Sequence, residues 1–465
     1  MKLRIISAAV ALLATCMYLL AGNNCGSRIV YASEAGVVLD SDVYLGGGTD
    51  MTDRIQAILD MAPIWGRLHF VMDGAALISK PLRIHSNTTL ECPDKSCGFF
   101  LADGSDCSCI TNANPSMGEI SDRNITLSGG VYNNNSPGQK HHREGPGADY
   151  VLSSWVYGME FYGVESLTVR DITIANQRTF AFTIANWKYV VMENVHIDRR
   201  VRPDAENQDG LHFFGPGSFL TLRNIYGNSG DDFIAIAPDE VDKVSSISDV
   251  VIDGVHLEDA DQGIRILCDG EGTVDRVVVR NVTGTYRSFG FIVNPWFDGS
   301  GGNYGNIVFD NIDLRPLAPN YDYNEPFLFK FGGNIESVVL NNIHVHHPDF
   351  NHRLAIIGGG YMTGKPTDDT CPTHIGRLVV NGLYIDEDCR EGTQLSYFLI
   401  KGGQVDLLSV NDAIIRRTYT EDKSGSLVKV IDGKLSEIRL SDCYAPCLKK
   451  MVEGGRKKVE KICIR

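Results

Sequence analysis

The phrase Asn194-Val195-His196-Ile197 returns one coil later as Asn224-Ile225-Tyr226-Gly227. Each copy places an Asn, Asp or Gly before a short run in which apolar residues alternate with other residues, and the copies follow one another at intervals of about 30 residues. A period of this size, built from alternating strands without helical periodicity, indicates a solenoid. Further copies begin at Asn124, Asp171, Gly254, Asn281, Asn311, Asn342, Gly382, Asp412 and Asp442.

A second short strand accompanies most copies of this phrase. Because one coil cannot bury its own apolar row, it must stack on its neighbours. Short strands broken by Gly, Asn and Asp favour an all-β fold, a single right-handed parallel β-helix of about ten or more coils, over leucine-rich or helical repeats. We expect the Asn at each bend to take the left-handed conformation and to hydrogen-bond along the stack. The second strands are predicted at residues 180–184, 210–213, 233–236, 263–266, 290–293, 329–331 and 355–357.

The N-terminal part of the chain departs from the repeat. Residues 52–61 form an amphipathic pattern that begins at Asp53 and ends before Pro63, which predicts a helix. We expect this helix to cap the open end of the stack, within a cap and first coils over residues 33–120. The basic segment 449–461 is expected to cap the other end.

The first residues predict export. Lys2 and Arg4 precede an apolar run over residues 5–21, and Val30-Tyr31-Ala32 resembles the pattern before a cleavage site. We therefore expect a signal peptide over residues 1–32, a secreted β-helix domain over residues 33–465, and no membrane span. Lipid anchoring at Cys16 is the alternative.

The 12 cysteines predict disulfides. Cleavage after Ala32 would remove two of them and leave an even number, which favours disulfides in an exported protein. The segment Cys107-Ser108-Cys109 is expected to be structural, and we expect neither a metal nor a cofactor. The near pairs are Cys92/Cys97, Cys371/Cys389 and Cys443/Cys447.

The formal net charge of −15 argues against nucleic acid as a partner, because phosphate binding needs an excess of Lys and Arg. The charge does not exclude a polysaccharide or oligosaccharide substrate. Even an anionic glycan could bind, because binding would need only a locally basic groove. We expect a monomer.

Two neighbouring coils carry a dense group of carboxylates, Asn207-Gln208-Asp209-Gly210 and Gly230-Asp231-Asp232-Phe233. When the following strands are aligned, Leu211 lies beside Ile234, and Asp209 stacks over Asp232 at about one strand spacing, ~4.8 Å. Three carboxylates so close repel one another, so at least one should hold a proton near neutral pH. Glycoside hydrolysis needs one protonated and one ionised carboxyl group. A calcium site is the alternative use of such a cluster.

The paired segments resemble the signature of the polygalacturonase family, glycoside hydrolase family 28, within the pectate-lyase-like parallel β-helix superfamily. The resemblance is strongest over about 60 residues from Asn207. It implies that Asp231 is the general acid and that Asp209 and Asp232 together activate water for inversion.

The chain departs from that family at two places. It has no Gly-His-Gly coil after the Asp doublet, and it reads Arg265-Ile266-Leu267 where the family has Arg-Ile-Lys. In our alignment Gln262 falls in the column of Asp209 and Asp232, and Arg265 falls in the column of His212. Because one of the family's cations is missing, polygalacturonate is a weaker candidate substrate. Another acidic or neutral glycan becomes a candidate as well.

The candidate substrate-binding residues extend along the same face of the predicted helix. His212 is expected to point outward beside Asp209, and the polar insertion at residues 133–143 could form a groove wall. The full set is Arg265, His212, Gln262, Asn207, Arg178, Lys330, His142, Arg143 and Trp296.

Two other functions compete with hydrolysis. A polysaccharide lyase would use Arg265 as base and the Asp cluster to bind calcium, and it would act on a uronate-containing glycan. A carbohydrate-binding β-helix without catalytic activity is the third hypothesis.

Overall fold

The computed structural model describes residues 26–143, 152–200, 206–295, 302–319, 326–346, 350, 352–358, 373–387, 396–418, 423–455 and 457–465. Two short helices lie near the N-terminus, α1 (Thr52–Leu59) and α2 (Ala62–Trp65), with a 3-10 turn at Ser136–Gly138. The strands of the first half are β1 (Arg28–Tyr31), β2 (Leu68–Val71), β3 (Ala75–Ile78), β4 (Leu82–Ile84), β5 (Thr88–Glu91), β6 (Gly98–Leu101), β7 (Ile110–Asn112), β8 (Asp122–Ser128), β9 (Val131–Asn133), β10 (Met159–Arg170), β11 (Thr173–Ala175), β12 (Phe182–Asp198), β13 (Leu211–Phe214), β14 (Gly217–Gly227) and β15 (Asp232–Ala237).

The second half continues the same succession of strands. They are β16 (Ile247–Ile266), β17 (Thr273–Val293), β18 (Asn303–Pro316), β19 (Phe327–Phe331), β20 (Asn334–His346), β21 (Arg353–Ile357), β22 (His374–Glu387), β23 (Ser396–Ile400), β24 (Gln404–Arg417), β25 (Ser426–Val430), β26 (Lys434–Tyr444), β27 (Lys450–Glu453) and β28 (Val459–Ile464).

The strands stack as the rungs of a parallel β-helix, which confirms the predicted fold. One stack of long strands runs β12, β14, β16, β17, β18, β20, β22, β24, β26 and β28, each paired in parallel with the next. A second stack of short strands runs β13, β15, the end of β16, the end of β17, β19, β21, β23, β25 and β27. The register is almost free of shifts, so residues at equivalent positions of successive coils form columns.

Stacked apolar columns form the core. One such column contains Val190, Leu220, Val250, Val277 and Ile307, which are register partners in that order. All five side chains are buried. Burial of one such side chain contributes roughly 1.5–3 kcal/mol, so the columns hold each coil to its neighbours.

The predicted Asn ladder is present at a bend within the long strands. Asn194, Asn224, Asn281 and Asn311 all have positive φ angles, between 52° and 58°. Nδ2 of Asn224 donates to Oδ1 of Asn194 at 3.0 Å, and Nδ2 of Asn311 donates to Oδ1 of Asn281 at 2.8 Å. The amide side chain tolerates the left-handed backbone and bonds to the next rung, so it fixes the bend in the coils that carry it.

The helix α1 confirms the prediction at residues 52–61. Its buried residues include Ile55 and Leu59, and it packs against β2 and β4. Strand β1 pairs in parallel with β2, and Ala32 is buried. Cleavage after Ala32 would therefore remove the first strand of the folded domain; residues 1–25 lie outside the described part of the chain.

The described cysteines are free thiols. The near pairs Cys92/Cys97 and Cys443/Cys447, which were candidates for disulfides, are not bonded, and the pair Cys371/Cys389 lies outside the described residues. Sγ of Cys443 faces the carbonyl of Val410 at 3.6 Å, whereas Sγ of Cys447 faces that of Ile415 at 3.5 Å, so the two thiols point to different backbone groups. Among the described residues no helix is long and apolar enough to cross a membrane.

Candidate active site

Two adjacent rungs bring Asp209 and Asp232 together. Leu211 of β13 is the register partner of Ile234 of β15, as the sequence alignment predicted. The backbone N–H of Gly210 donates to the carbonyl of Asp232 at 2.8 Å, which continues the pairing up to the two aspartates. Both aspartates are buried, whereas Asp231, which precedes Asp232, is partly exposed.

The third rung supplies Gln262 and Arg265. Gln262 pairs with Asp232, and Arg265 pairs with Ala235, so both fall in the predicted columns. Nε of Arg265 lies 2.9 Å from Oδ2 of Asp232, and Nη2 of Arg265 donates to Oε1 of Gln262 at 3.0 Å. The cation is buried directly beside the carboxylates.

His212 is held between two acids. Nδ1 lies 2.8 Å from Oδ2 of Asp209, and Nε2 lies 3.0 Å from Oε2 of Glu240. A neutral imidazole has only one N–H, so two bonds to carboxylates require the protonated ring. Burial lowers the pKa of His212, but the hydrogen bonds to Asp209 and Glu240 more than offset this effect and raise it to about 10. His212 is therefore a buried cation at neutral pH.

Stacked rings fix the plane of His212. The ring of Phe180 lies parallel to it, with centroids 4.4 Å apart and 2° between the planes. Phe214 packs on it as well, at a centroid distance of 4.4 Å. The imidazole therefore has little freedom to leave its two acids.

The three aspartates have raised pKa values. Burial raises the pKa of Asp231 to about 7, with a further increase from the charge of Asp209. Burial also raises the pKa of Asp209, against the hydrogen bond from His212, and raises that of Asp232 well above its ordinary value, against the charge of Arg265. Asp231 is thus the carboxyl that is partly exposed and titrates near neutral pH.

One oxygen of Asp232 is left available. Oδ1 is buried and accepts no hydrogen bond from any residue that the structure describes. A buried carboxylate oxygen without a donor costs more than 1 kcal/mol, which is a feature of sites that bind a water or a ligand. The other oxygen, Oδ2, is ion-paired with Arg265, so the orientation of the group is fixed.

The buried guanidinium of Arg199 lies against the turn that carries Asp231 and Asp232. Nη1 of Arg199 donates to Oε1 of Gln208 at 2.9 Å, and Nε2 of Gln208 donates to the carbonyl of Gln177 at 3.2 Å. A Cβ atom added to Gly230 would overlap Nη1 of Arg199. Glycine at position 230 therefore lets the Asp231–Asp232 turn lie directly on this cation.

The loop that carries Glu240 is anchored by the residue before it. Oδ1 of Asp239 accepts the backbone N–H of Asp269 at 2.7 Å, and Oδ2 accepts that of Gly270 at 2.7 Å. The pKa of Glu240 is lowered, because the hydrogen bond and charge of His212 outweigh the effect of burial, which raises it. Glu240 thus remains an anion opposite His212.

The polar insertion forms an aromatic wall beside the site. The ring of Trp155 makes edge contacts with His141 at 5.3 Å, with His142 at 6.4 Å and with Phe180 at 5.4 Å. His142 is exposed, and Nδ1 lies 2.9 Å from Oγ of Ser154. The contact through Phe180 joins this wall to His212, and a role of His142 in substrate binding stays a prediction.

Other predicted binding residues have structural roles. Arg143 forms a buried ion pair with Glu160, and this contact fixes the insertion to β10. Arg178 is buried, and Nε donates to the carbonyl of Gln139 at 3.1 Å, which holds the insertion in place.

The remaining candidates are more distant or are not described. Lys330 lies in the column of Arg265 but two rungs away, with Ile292 between them. Asn207 is partly exposed, and its φ of 52° turns the chain into the site. Trp296 lies outside the described residues.

Two acidic residues of the site were missed from the sequence. Glu240 lies in a loop after β15, and nothing in its local sequence marks it. Asp261 precedes Gln262 as Asp231 precedes Asp232, so the column alignment could have revealed it. Its charge helps to raise the pKa of Asp231.

Several solved structures are similar to this chain at low identity. PfbA, a surface adhesin of Streptococcus pneumoniae, has 13% identity and a TM-score of 0.51, over 91% of this chain and 93% of that one. The family 28 exopolygalacturonase of Yersinia enterocolitica has 13% identity and a TM-score of 0.48, over 94% and 78%. The polygalacturonase of Erwinia carotovora has 13% identity and a TM-score of 0.48, over 73% and 91%. At 13% identity the likeness to PfbA concerns the fold alone.

No curated protein matches the chain. The comparison with protein families is more specific than the comparison with solved structures. Residues 124–324 match the family described as glycosyl hydrolases family 28. This range contains the three aspartates, His212 and Arg265. The family match supports glycoside hydrolase activity, and over residues 124–324 the chain is similar to glycosyl hydrolases family 28.

Proposed function

We propose that this protein is an inverting glycoside hydrolase that cleaves an α-linked polysaccharide or oligosaccharide at Asp231. The observation that carries the proposal is the contrast between Asp231 and its neighbour. Asp231 is partly exposed with a pKa of about 7, whereas Asp232 is buried in an ion pair with Arg265. Two carboxyl groups with different environments are what an acid and a base require.

Asp231 is the general acid in this proposal. Near neutral pH it is protonated in a large fraction of molecules, and its partial exposure lets it reach the glycosidic oxygen of a bound glycan. It donates its proton to that oxygen as the bond to the sugar carbon breaks. The negative charges of Asp209 and Asp261 favour the protonated form before the reaction.

Asp209 and Asp232 serve as the base pair. Each is held by one cation, His212 for Asp209 and Arg265 for Asp232. The charge of Arg265 opposes the effect of burial on the pKa of Asp232 and so favours the ionised form that a base requires. The available Oδ1 of Asp232 takes a proton from the attacking water, whose oxygen adds to the anomeric carbon from the face opposite the leaving group. His212 and Arg265 position these carboxylates and balance their charge.

The cations of the site are engaged with protein acids, which bears on the substrate. His212 bonds to Asp209 and Glu240, and Arg265 is paired with Asp232. This supports a glycan that is bound chiefly by hydrogen bonds and by contact with the aromatic wall, rather than ordinary polygalacturonate. The predicted export signal is consistent with a glycan outside the cell.

A lyase is less consistent with the geometry. It would need Arg265 to act as a neutral base, but the nearby carboxylate of Asp232 favours the protonated guanidinium. A carbohydrate-binding protein without activity would not need the costly packing of acids that the site contains.

The experiment is a screen of the purified full-length protein against plant, algal and microbial glycans, followed by NMR of the first product formed. Inversion of the anomeric configuration supports the proposal. Retention, an unsaturated product that absorbs in the ultraviolet, or binding without turnover on every glycan would each overturn it.

A further inference from the structure

A second cluster of polar side chains lies on another face of the β-helix, away from the active site. Strands β18 and β20 pair in parallel, with Asp313 opposite His344 and Leu314 opposite Val345. Leu314 and Val345 are buried in the core. Because side chains alternate along a strand, Asp313 and His344 point outward, and so does His346, two residues after His344.

We propose that Asp313, His344 and His346 form a binding site for a divalent transition-metal ion, with Zn²⁺ as the best match. One ligand atom from each of the three residues lies within 4.8 Å of the others. Nε2 of His346 lies 2.7 Å from Oδ1 of Asp313. The three residues come from two neighbouring rungs, so an ion bound there would join the rungs.

The distances suit a small metal ion. Bonds of ~2.0–2.1 Å in a tetrahedral arrangement place the ligand atoms ~3.3 Å apart. Nε2 of His346 and Oδ1 of Asp313 are closer than this, at 2.7 Å, and all three ligand atoms lie within 4.8 Å of one another, so small side-chain rotations would bring them into place. The backbone needs no change, because the paired strands already present the residues side by side.

The donor set determines the class of ion. Two imidazole nitrogens with one carboxylate oxygen favour Zn²⁺ and similar transition metals, whereas Ca²⁺ and Mg²⁺ prefer oxygen donors only. The exposure of His344 leaves one side of the site open to water for the remaining coordination position. Asp386, the register partner of His346 on the next rung, adds a negative charge nearby, and the exposed Arg315 adds a positive one.

A second His–Asp pair on the same helix offers a matched control. Nε2 of His374 lies 2.9 Å from Oδ2 of Asp406, and both side chains are largely exposed. Among the described residues this pair belongs to no group of three metal ligands. Loss of His374 should therefore leave metal binding unchanged.

The test is titration of the purified full-length protein with Co²⁺ and Zn²⁺ at neutral pH, followed by visible absorption and by calorimetry. We expect one Co²⁺ per chain with the visible bands of nitrogen and oxygen ligands, displaced by Zn²⁺. The variants His344→Gln, His346→Gln and Asp313→Asn should each weaken this binding at least tenfold, whereas His374→Gln should not. Zn²⁺ should also raise the unfolding temperature of the wild type but not that of His344→Gln.

Two results would overturn the proposal. One is the absence of a stoichiometric binding event in the wild type. The other is binding that persists unchanged in His344→Gln or that shows the intense near-ultraviolet bands of thiolate ligands, because the ion would then lie at a cysteine. Hydrolase activity does not enter the test, so its outcome is independent of the proposed function.

Discussion

The side chain of Arg265 lies 2.9 Å from that of Asp232, nitrogen to oxygen, although the two residues belong to neighbouring rungs. Parallel stacking makes this contact possible, because Arg265 pairs with Ala235 and Gln262 pairs with Asp232. Removal of the cation would leave a buried carboxylate without compensation. The pair therefore links the stability of the fold to the charge of the proposed base.

We predict that Arg265→Met destabilises the protein by about 3–5 kcal/mol at neutral pH. Asp232 would be left without its cation, so its pKa would rise further. The folded variant would then keep this proton at pH values where the folded wild type has lost it, so the stability gap between variant and wild type should widen as the pH rises through the raised pKa that Asp232 has in the wild type. Denaturant unfolding at several pH values measures the effect. A gap that is constant or that narrows with rising pH would argue against the ion pair.

His212 sets the charge around Asp231 in this account. The wild-type rate should decline as the pH rises past about 7, because the general acid loses its proton. The positive charge of His212 lowers the pKa of Asp231, so His212→Gln should move this decline to higher pH. The pH dependence of kcat measures it, with His374→Gln as the control. An unshifted profile in His212→Gln would contradict the role.

Gly230 is predicted to be required for the turn that carries Asp231. A Cβ at this position would overlap the buried guanidinium of Arg199, so Gly230→Ala should cost about 1–3 kcal/mol and reduce kcat. Gly118→Ala is the matched control, because a Cβ there meets no atom within 4 Å. Equal unfolding free energies for the two variants would show that Arg199 does not lie against the turn.

The Asn ladder is expected to carry measurable stability. Asn224→Ala loses the bond to Asn194 and also the polar side chain that favours the left-handed conformation at a φ of 52°, which should cost roughly 1–3 kcal/mol. Asn224→Gly keeps the backbone conformation accessible and should cost less than Asn224→Ala. Thermal unfolding compares the two, and the reverse order would contradict the argument.

The columns of the site could be predicted because the fold repeats. Once the period is recognised, a parallel β-helix assigns each residue a partner one coil away. Asp209 beside Asp232 and Arg265 beside Ala235 follow from that alignment. The left-handed Asn at the bends follows from the known preference of that side chain.

Contacts from outside the repeat could not be predicted. Glu240 reaches His212 from a loop, and Phe180, which was predicted to begin a strand, instead precedes β12 and stacks its ring on His212. Arg143 was expected in the groove, but a buried acid, Glu160, binds it instead. These partners are set by how loops return to the stack, and the local sequence holds no signal for that.

The most direct test of the account is the turnover of Asp231→Asn on a glycan that the wild type cleaves, with thermal unfolding measured in parallel. Asn has a similar shape but cannot donate the acidic proton, so kcat should decrease by ~10²–10⁴-fold. The unfolding temperature should not decrease, because the substitution removes a charge from a crowded group of acids. A variant that folds normally and retains near-wild-type kcat would contradict the assignment of Asp231 as the general acid.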